Sequence, residues 1–173
     1  FMFYFRSRLV LLNTVEGPTL PGGGPPPTGS GTQFAQRARW SKLLNPDANS
    51  WDQNTPGNGG FADCPTSDQI VAATQLQDLI IVQFTNSVWA LKPLSDPAAP
   101  FRWEKINSFR ACDAPYANIG HDRYVISFGV RGIVATDSVE VQRIDQKIDN
   151  FVVENVNLDF IDRMYSERNY LDR

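Results

Sequence analysis

Histidine is nearly absent from this 173-residue chain: His121 stands alone, accompanied by only two cysteines, Cys64 and Cys112. One imidazole cannot assemble a histidine-type zinc site, and the two cysteines lack the close spacing of a metal-binding pair. No serine sits in a nucleophile-elbow context beside that histidine. Reduced thiols near strand starts, in a protein assembled inside a cell, are the expected state of the cysteines, with a single bridge as the alternative. Positive charge is also scarce. Sixteen Lys and Arg face nineteen Asp and Glu, for a net charge of −3. A nucleic-acid groove needs a basic stripe to displace counterions, so tight binding of that kind is not expected. The opening run Phe1-Met2-Phe3-Tyr4-Phe5 is too short to cross a bilayer. It has no basic region ahead of it and no small-residue cleavage site behind it, so membrane insertion is not expected. With no Met at position one and no recognisable terminus at Arg173, both ends are read as cuts through a longer protein.

What the chain does contain is turn chemistry and aromatic bulk. Gly and Pro number twelve each and aromatics make up 12% of residues, against 42% hydrophobic and 20% charged. That is a globular composition for about one domain, rich in turns and poor in long helices.

Repeats organise it further. Asp78 to Leu91 reads DLIIVQFTNSVWAL: an apolar strand, a Thr85-Asn86-Ser87 turn, and a second strand carrying Trp89. Forty-four residues on, Asp122 to Thr136 reads DRYVISFGVRGIVAT, again an Asp, an apolar strand, a turn at Gly129 and an apolar strand. Upstream, SRLVLLN (Ser7 to Asn13) and QRARWS (Gln36 to Ser41) supply the same two strands on either side of a long insertion. A strand is expected before each hairpin, at Phe1 to Arg6, Ile70 to Leu76 and Tyr116 to Gly120. Another is expected after each, at Asn49 to Gln53, Phe101 to Asn107 and Val139 to Asp145. The pattern predicts an all-β chain over residues 1–148, made of about three four-stranded antiparallel β-propeller blades belonging to a larger ring. The near-continuous run Leu79-Ile80-Ile81-Val82 fits a strand covered on both faces, while the alternation over Val139 to Ile144 fits an outer strand with one wet face. The expected core is Leu79, Ile81, Phe84, Trp89, Trp103, Val125, Ile126 and Ile133.

Two stretches depart from the repeat. The insertion over residues 16–32 (EGPTLPGGGPPPTGSGT) cannot form regular structure and is expected to be a solvated loop, or an arm that docks on a neighbouring subunit. Residues 149–173 carry Leu158, Ile161, Met164 and Tyr165 at helical spacing, which predicts a connecting segment with a short helix; Phe151-Val152-Val153 alternatively starts a further blade.

Candidate chemistry is sparse. Asn45-Pro46-Asp47-Ala48-Asn49 places oxygens at alternate positions, which suits Ca²⁺ or equally an Asx turn. Ser50-Trp51-Asp52-Gln53-Asn54 approaches a sialidase-type Asp box but lacks its Gly and terminal Trp. His121 is expected to be a turn residue or a hydrogen-bond donor between blades. Arg37, Arg39 and Trp40 form the one basic-aromatic cluster; with both arginines on one strand face, they either line a channel or pair with acids at an interface. No catalytic residue, metal or cofactor is expected.

The hallmarks DLIIVQFTNSVWAL, PFRWEKIN and VEVQRIDQKI, with RLVLLN and QRARWS upstream, resemble the propeller portion of tailed-bacteriophage virion structural proteins. They are similar in character to packaged-DNA stabilisation and tail-hub or nozzle proteins of short-tailed phages. The resemblance covers about Arg8 to Ile148 and rests on packing motifs. It implies a non-enzymatic, virion-located homo-oligomer assembled in the host cytoplasm. Such a protein surrounds the tail axis beside portal, connector and other tail proteins and retains and conducts genomic DNA. The mild acidity would let DNA pass a channel wall without sequence-specific binding. Two other function classes stay open: a carbohydrate-binding or glycan-cleaving tail propeller, and a cellular propeller used as an interaction platform.

Overall fold

The computed structural model describes residues 1–17, 31–55, 57–148 and 151–169. The chain is all-β, in three four-stranded antiparallel sheets, each with its strands in sequence order. The first contains β1 (Met2–Phe5), β2 (Arg8–Glu16), β3 (Thr32–Trp40) and β4 (Gly60–Asp63). The second contains β5 (Ile70–Leu76), β6 (Leu79–Phe84), β7 (Val88–Pro93) and β8 (Phe101–Asn107). The third contains β9 (Asn118–His121), β10 (Tyr124–Gly129), β11 (Gly132–Thr136) and β12 (Val141–Arg143). Contacts divide the chain into one unit of Phe1–Gln69 with Pro93–Trp103, and another of Ile70–Lys92 with Glu104–Arg173.

The same tight turn opens all three sheets. Two residues separate the closing pairs Phe5↔Arg8, Leu76↔Leu79 and His121↔Tyr124. Positive φ occurs at Arg6, Ser7, Gln77 and Asp122, the left-handed geometry that matches the twist of two-residue hairpins. These turns correct the alignment of the repeat by one position. Leu79 corresponds to Tyr124, so Asp78 matches Arg123 and not Asp122. A slip of one residue exchanges the two faces of a strand. Ile81, Phe84, Trp89 and Val125 are buried, whereas Leu79, Trp103, Ile126 and Ile133 are only half-buried.

In the second unit the true faces are clear. Leu76, Ile81 and Val88 of the second sheet form one cluster with Ala111 and with Val125 and Val134 of the third. Polar groups interlock beside it: the Gln83 amide donates to the Ser127 hydroxyl, which donates to Asn118 Oδ1 at 2.9 Å. On the opposite face of the third sheet, Phe128 packs with Ala114 and Ala117 beneath Ile133, Val152, Val156, Ile161 and Met164. Ile133 therefore lies under the C-terminal segment and not between sheets. That segment is helical at α1 (Phe151–Asn155) and forms a kinked 3₁₀ stretch over Leu158–Arg163. Phe151-Val152-Val153 thus forms helix, not strand. Of the four residues at helical spacing, Ile161 and Met164 pack inward while Leu158 and Tyr165 are exposed. Residues 149, 150 and 170–173 of the expected connector lie outside the described residues.

The last strand of the first sheet is displaced from its expected place. Ala48–Trp51 is a 3₁₀ turn, and the strand is β4, pairing Arg37↔Asp63 through Trp40↔Gly60. Asp47 initiates that turn: its carbonyl accepts from Ser50 N at 2.9 Å and Ser50 Oγ at 2.6 Å. Chain direction then reverses through the Gly-rich run before β4. A Cβ at Gly59 would lie 2.2 Å from the Trp40 carbonyl oxygen, so only glycine permits that approach. β2 and β3 also run further than expected, past a bulge at Asn13 (φ 56°) to the pair Glu16↔Thr32. The ends of the insertion are thus strand; residues 18–30 of it lie outside the described residues.

The outer strand of the third sheet is shorter than its alternation suggests. Asp137 Oδ1 accepts from Val139 N at 2.7 Å and Glu140 N at 2.8 Å, an Asx turn that removes both from the ladder. Val139 is consequently 74% exposed. At the other end, the side chain of Asp145 is buried. Its carboxylate accepts from Arg143 Nε at 2.5 Å and from Ile133 N at 3.1 Å. Those bonds, Arg143's first, hold its pKa below the ordinary aspartate value. A depressed folded pKa contributes stability above the unfolded value of about 3.9, lost as pH falls through the lower folded one. Urea midpoints are therefore expected to drop below about pH 4 in the native chain, and to drop less steeply in Asp145→Asn.

Candidate functional site

The clustered arginines come together in the first unit, on β3. Arg37 and Arg39 alternate on one face, as expected, and both are buried, at 7% and 6% exposure. Glu16, at the end of β2, lies between them. Its Oε2 accepts from Arg37 Nη1 at 3.1 Å and Arg39 Nη1 at 2.7 Å, while its Oε1 accepts from Thr14 Oγ1 at 2.8 Å. Arg37 makes a second, bidentate pair with Asp63 on β4, at 2.7 and 2.8 Å. Its guanidinium lies 3.6 Å from the Phe34 ring centroid and 3.7 Å from that of Phe61. The Asp63 hydrogen bond, with the nearby Glu16 charge, raises the Arg37 pKa against the opposing effect of burial. Arg39 Nη2 reaches the Trp51 carbonyl at 2.9 Å. The sequence suggests that they line a channel or pair with acids at an interface; in the structure the acids they meet are Glu16 and Asp63 of this chain, Glu16 lying beyond the strand end expected at Asn13.

Trp40, the aromatic member of that cluster, is 4% exposed and meets Phe101 edge-on at 5.4 Å between centroids. Phe101 also stacks on Phe5 at 5.7 Å. These rings form core, with faces closed to a base or a sugar.

The remaining candidates resolve into turn chemistry. Asn45 Oδ1 accepts from Asp47 N at 2.9 Å, an Asx turn. Asp52 accepts from Thr55 Oγ1 at 2.5 Å and Asn54 N at 2.9 Å, and these bonds, Thr55's first, lower its pKa. Trp51 Nε1 donates to the Pro46 carbonyl at 3.1 Å, tying the two motifs into one loop. His121 ends β9 beside the hairpin turn, exposed, with Nδ1 3.6 Å from Asp122 Oδ2. Among the described residues no group of three or more His, Cys, Asp or Glu is arranged to hold a metal ion. No helix among them is long and apolar enough to cross a membrane.

Both cysteines are free thiols, and both are buried. Burial, the dominant effect, pushes the Cys112 thiol up to about 12. Thiolate is the reactive form, so Cys112 is expected to resist a thiol reagent at pH 8 in the folded chain and to react fully in denaturant. Mass spectrometry of the alkylated residue distinguishes the two states; rapid native labelling would mean that its cover opens readily.

The chain matches no known protein family and no curated protein.

Proposed function

We propose that the three sheets are consecutive blades of a β-propeller, and that the chain is a non-catalytic structural part of a phage tail or head-to-tail connector. In this reading it assembles with further copies and with portal or tail neighbours around an axial channel through which DNA passes. The observation that carries the reading is the packing of one meander on the next. Ile81 and Val88 meet Val125 and Val134, and Gln83 hydrogen-bonds Ser127. A propeller is built from such face-to-face stacking of similar four-stranded sheets.

Exposed apolar side chains support the assembly part of the proposal. Met2 and Tyr4 are 67% and 66% exposed on β1, the edge strand of the first sheet. Phe151, Phe160 and Tyr165 are exposed on the C-terminal segment. Unpaired strand edges and apolar patches are characteristic of surfaces that other chains cover. The net charge of −3 fits a conduit past which DNA moves without being held.

Electron microscopy of the assembled protein tests the proposal. Copies arranged in a ring around an axial channel are the expected image. A dispersed monomer with a complete ring in one chain would favour a cellular interaction platform instead. Glycan cleavage by assembled particles, lost on mutating a carboxylate within residues 1–173, would replace the structural reading with the glycan-acting one.

A further inference from the structure

The first unit contains a third buried arginine, Arg8, whose charge is met by no acid among the described residues. It is 7% exposed at the start of β2. Its one hydrogen bond among the described residues runs from Nη1 to the Ser41 carbonyl at 2.7 Å, and it makes no ion pair there. Burial without a compensating carboxylate lowers its pKa from the ordinary arginine value. By contrast, Arg37 and Arg39 in the same sheet both have carboxylate partners. An arginine is rarely so buried unless it is paired, because desolvating the cation costs more than one neutral carbonyl returns.

Arg8 also lines an open cavity of about 410 Å³, within the range of small-ligand sites. Two groups of residues form its walls. Leu43, Pro93, Leu94, Pro97, Pro100 and Phe101 are apolar, and the charged members are Arg6, Arg8 and Asp96. Of these, Arg8 is the guanidinium that meets no acid among the described residues. Asp96 is partly engaged in its own loop, accepting from Ala98 N at 2.9 Å. The proline-rich turn is held by a backbone bond from Leu94 N to the Pro100 carbonyl, at 2.7 Å.

We propose that this cavity binds a small monocarboxylate with an apolar body, the carboxylate on Arg8 and the body against the proline and leucine walls. The planar fork of the guanidinium, with donors left over after Ser41, matches a carboxylate bidentately. The one guanidinium of Arg8, with Asp96 in the same wall, suits a monoanion better than a dianion. The apolar walls call for a hydrocarbon or aromatic body and disfavour a free inorganic ion.

Benzoate is the probe, titrated into the full chain and followed by calorimetry. Benzyl alcohol and phenyl phosphate serve as the neutral and dianionic comparisons. Benzoate is expected to bind most tightly of the three. Arg8→Met should weaken it about tenfold or more, the loss expected when a charge-assisted hydrogen bond is removed. Because Arg8 also ties down Ser41, a second variant keeps the test independent of folding. Asp96→Asn retains the loop acceptor and removes the negative charge, so benzoate should bind several-fold more tightly. Equal affinity for benzyl alcohol, or benzoate affinity unchanged in both variants, would overturn the assignment. Tighter binding of phenyl phosphate would overturn its monocarboxylate part. None of these outcomes depends on the ring arrangement proposed above.

Discussion

Glu16→Gln is expected to destabilise the folded chain by about 3–5 kcal/mol, the usual cost of removing one partner from a buried ion pair. One carboxylate oxygen of Glu16 serves two guanidinium groups, at 3.1 and 2.7 Å. A carboxamide of the same shape can keep its oxygen on both guanidinium groups and turn its NH₂ to the Thr14 hydroxyl, but it cancels no charge. Arg37 would retain the Asp63 carboxylate, whereas Arg39 would be left with neutral acceptors alone, the carboxamide oxygen and the Trp51 carbonyl. The Phe34 and Phe61 rings cover the Arg37 guanidinium. Asp63→Asn is the internal comparison. The Asp63 side chain is 37% exposed, so solvent screens it, and about 1 kcal/mol is expected. Urea unfolding of the two variants measures the contrast. Equal and small losses would mean that solvent reaches the cluster, and the buried character assigned to the arginines would be withdrawn.

Trp89→Ala should be comparably severe, at about 3–5 kcal/mol. Trp89 is 7% exposed on β7, meets Phe84 edge-on at 6.5 Å, and donates from Nε1 to Ser87 Oγ at 3.0 Å. Phe84 is itself fully buried, so truncation opens a cavity against a side chain with no free volume into which to relax. Trp89→Phe keeps an aromatic ring but loses the indole donor and part of the volume, and should cost clearly less. Thermal or urea unfolding orders the pair. A Trp89→Ala variant no less stable than Trp89→Phe would show that the residue packs loosely.

Strand identity was legible wherever the local pattern was strong. Ile70 to Leu76 and Phe101 to Asn107 match β5 and β8 residue for residue, and the hairpin turn at Thr85 to Ser87 falls where the polar triplet stands. Errors arose where one local signal competed with another. The repeat places a strand over Asn49 to Gln53, around Trp51, but the turn nucleated at Asp47 prevailed and β4 formed later, at Gly60–Asp63. Val139 looked like a strand residue until Asp137 drew the backbone into an Asx turn. The offset between hairpins was misjudged by one residue because the two aspartates, Asp78 and Asp122, occupy different positions in their turns.

By itself, the sequence determined the all-β class, the succession of short strands and the rarity of metal and nucleophile groups. These follow from composition and from side-chain alternation along a pleated strand, both local properties. Only the tertiary structure decided which side chains share a space. Glu16 reaches Arg37 and Arg39 because β2 and β3 pair beyond a bulge, across a separation in sequence that no local pattern encodes. Among the described residues Arg8 pairs with no acid for the same kind of reason: its partner is the Ser41 carbonyl, and the loop of residues 93–101 is brought to its cavity by the fold. The energy of a buried charge depends on what surrounds it in three dimensions. Three arginines on adjoining strands of one sheet therefore acquire different surroundings, two with carboxylate partners and one without.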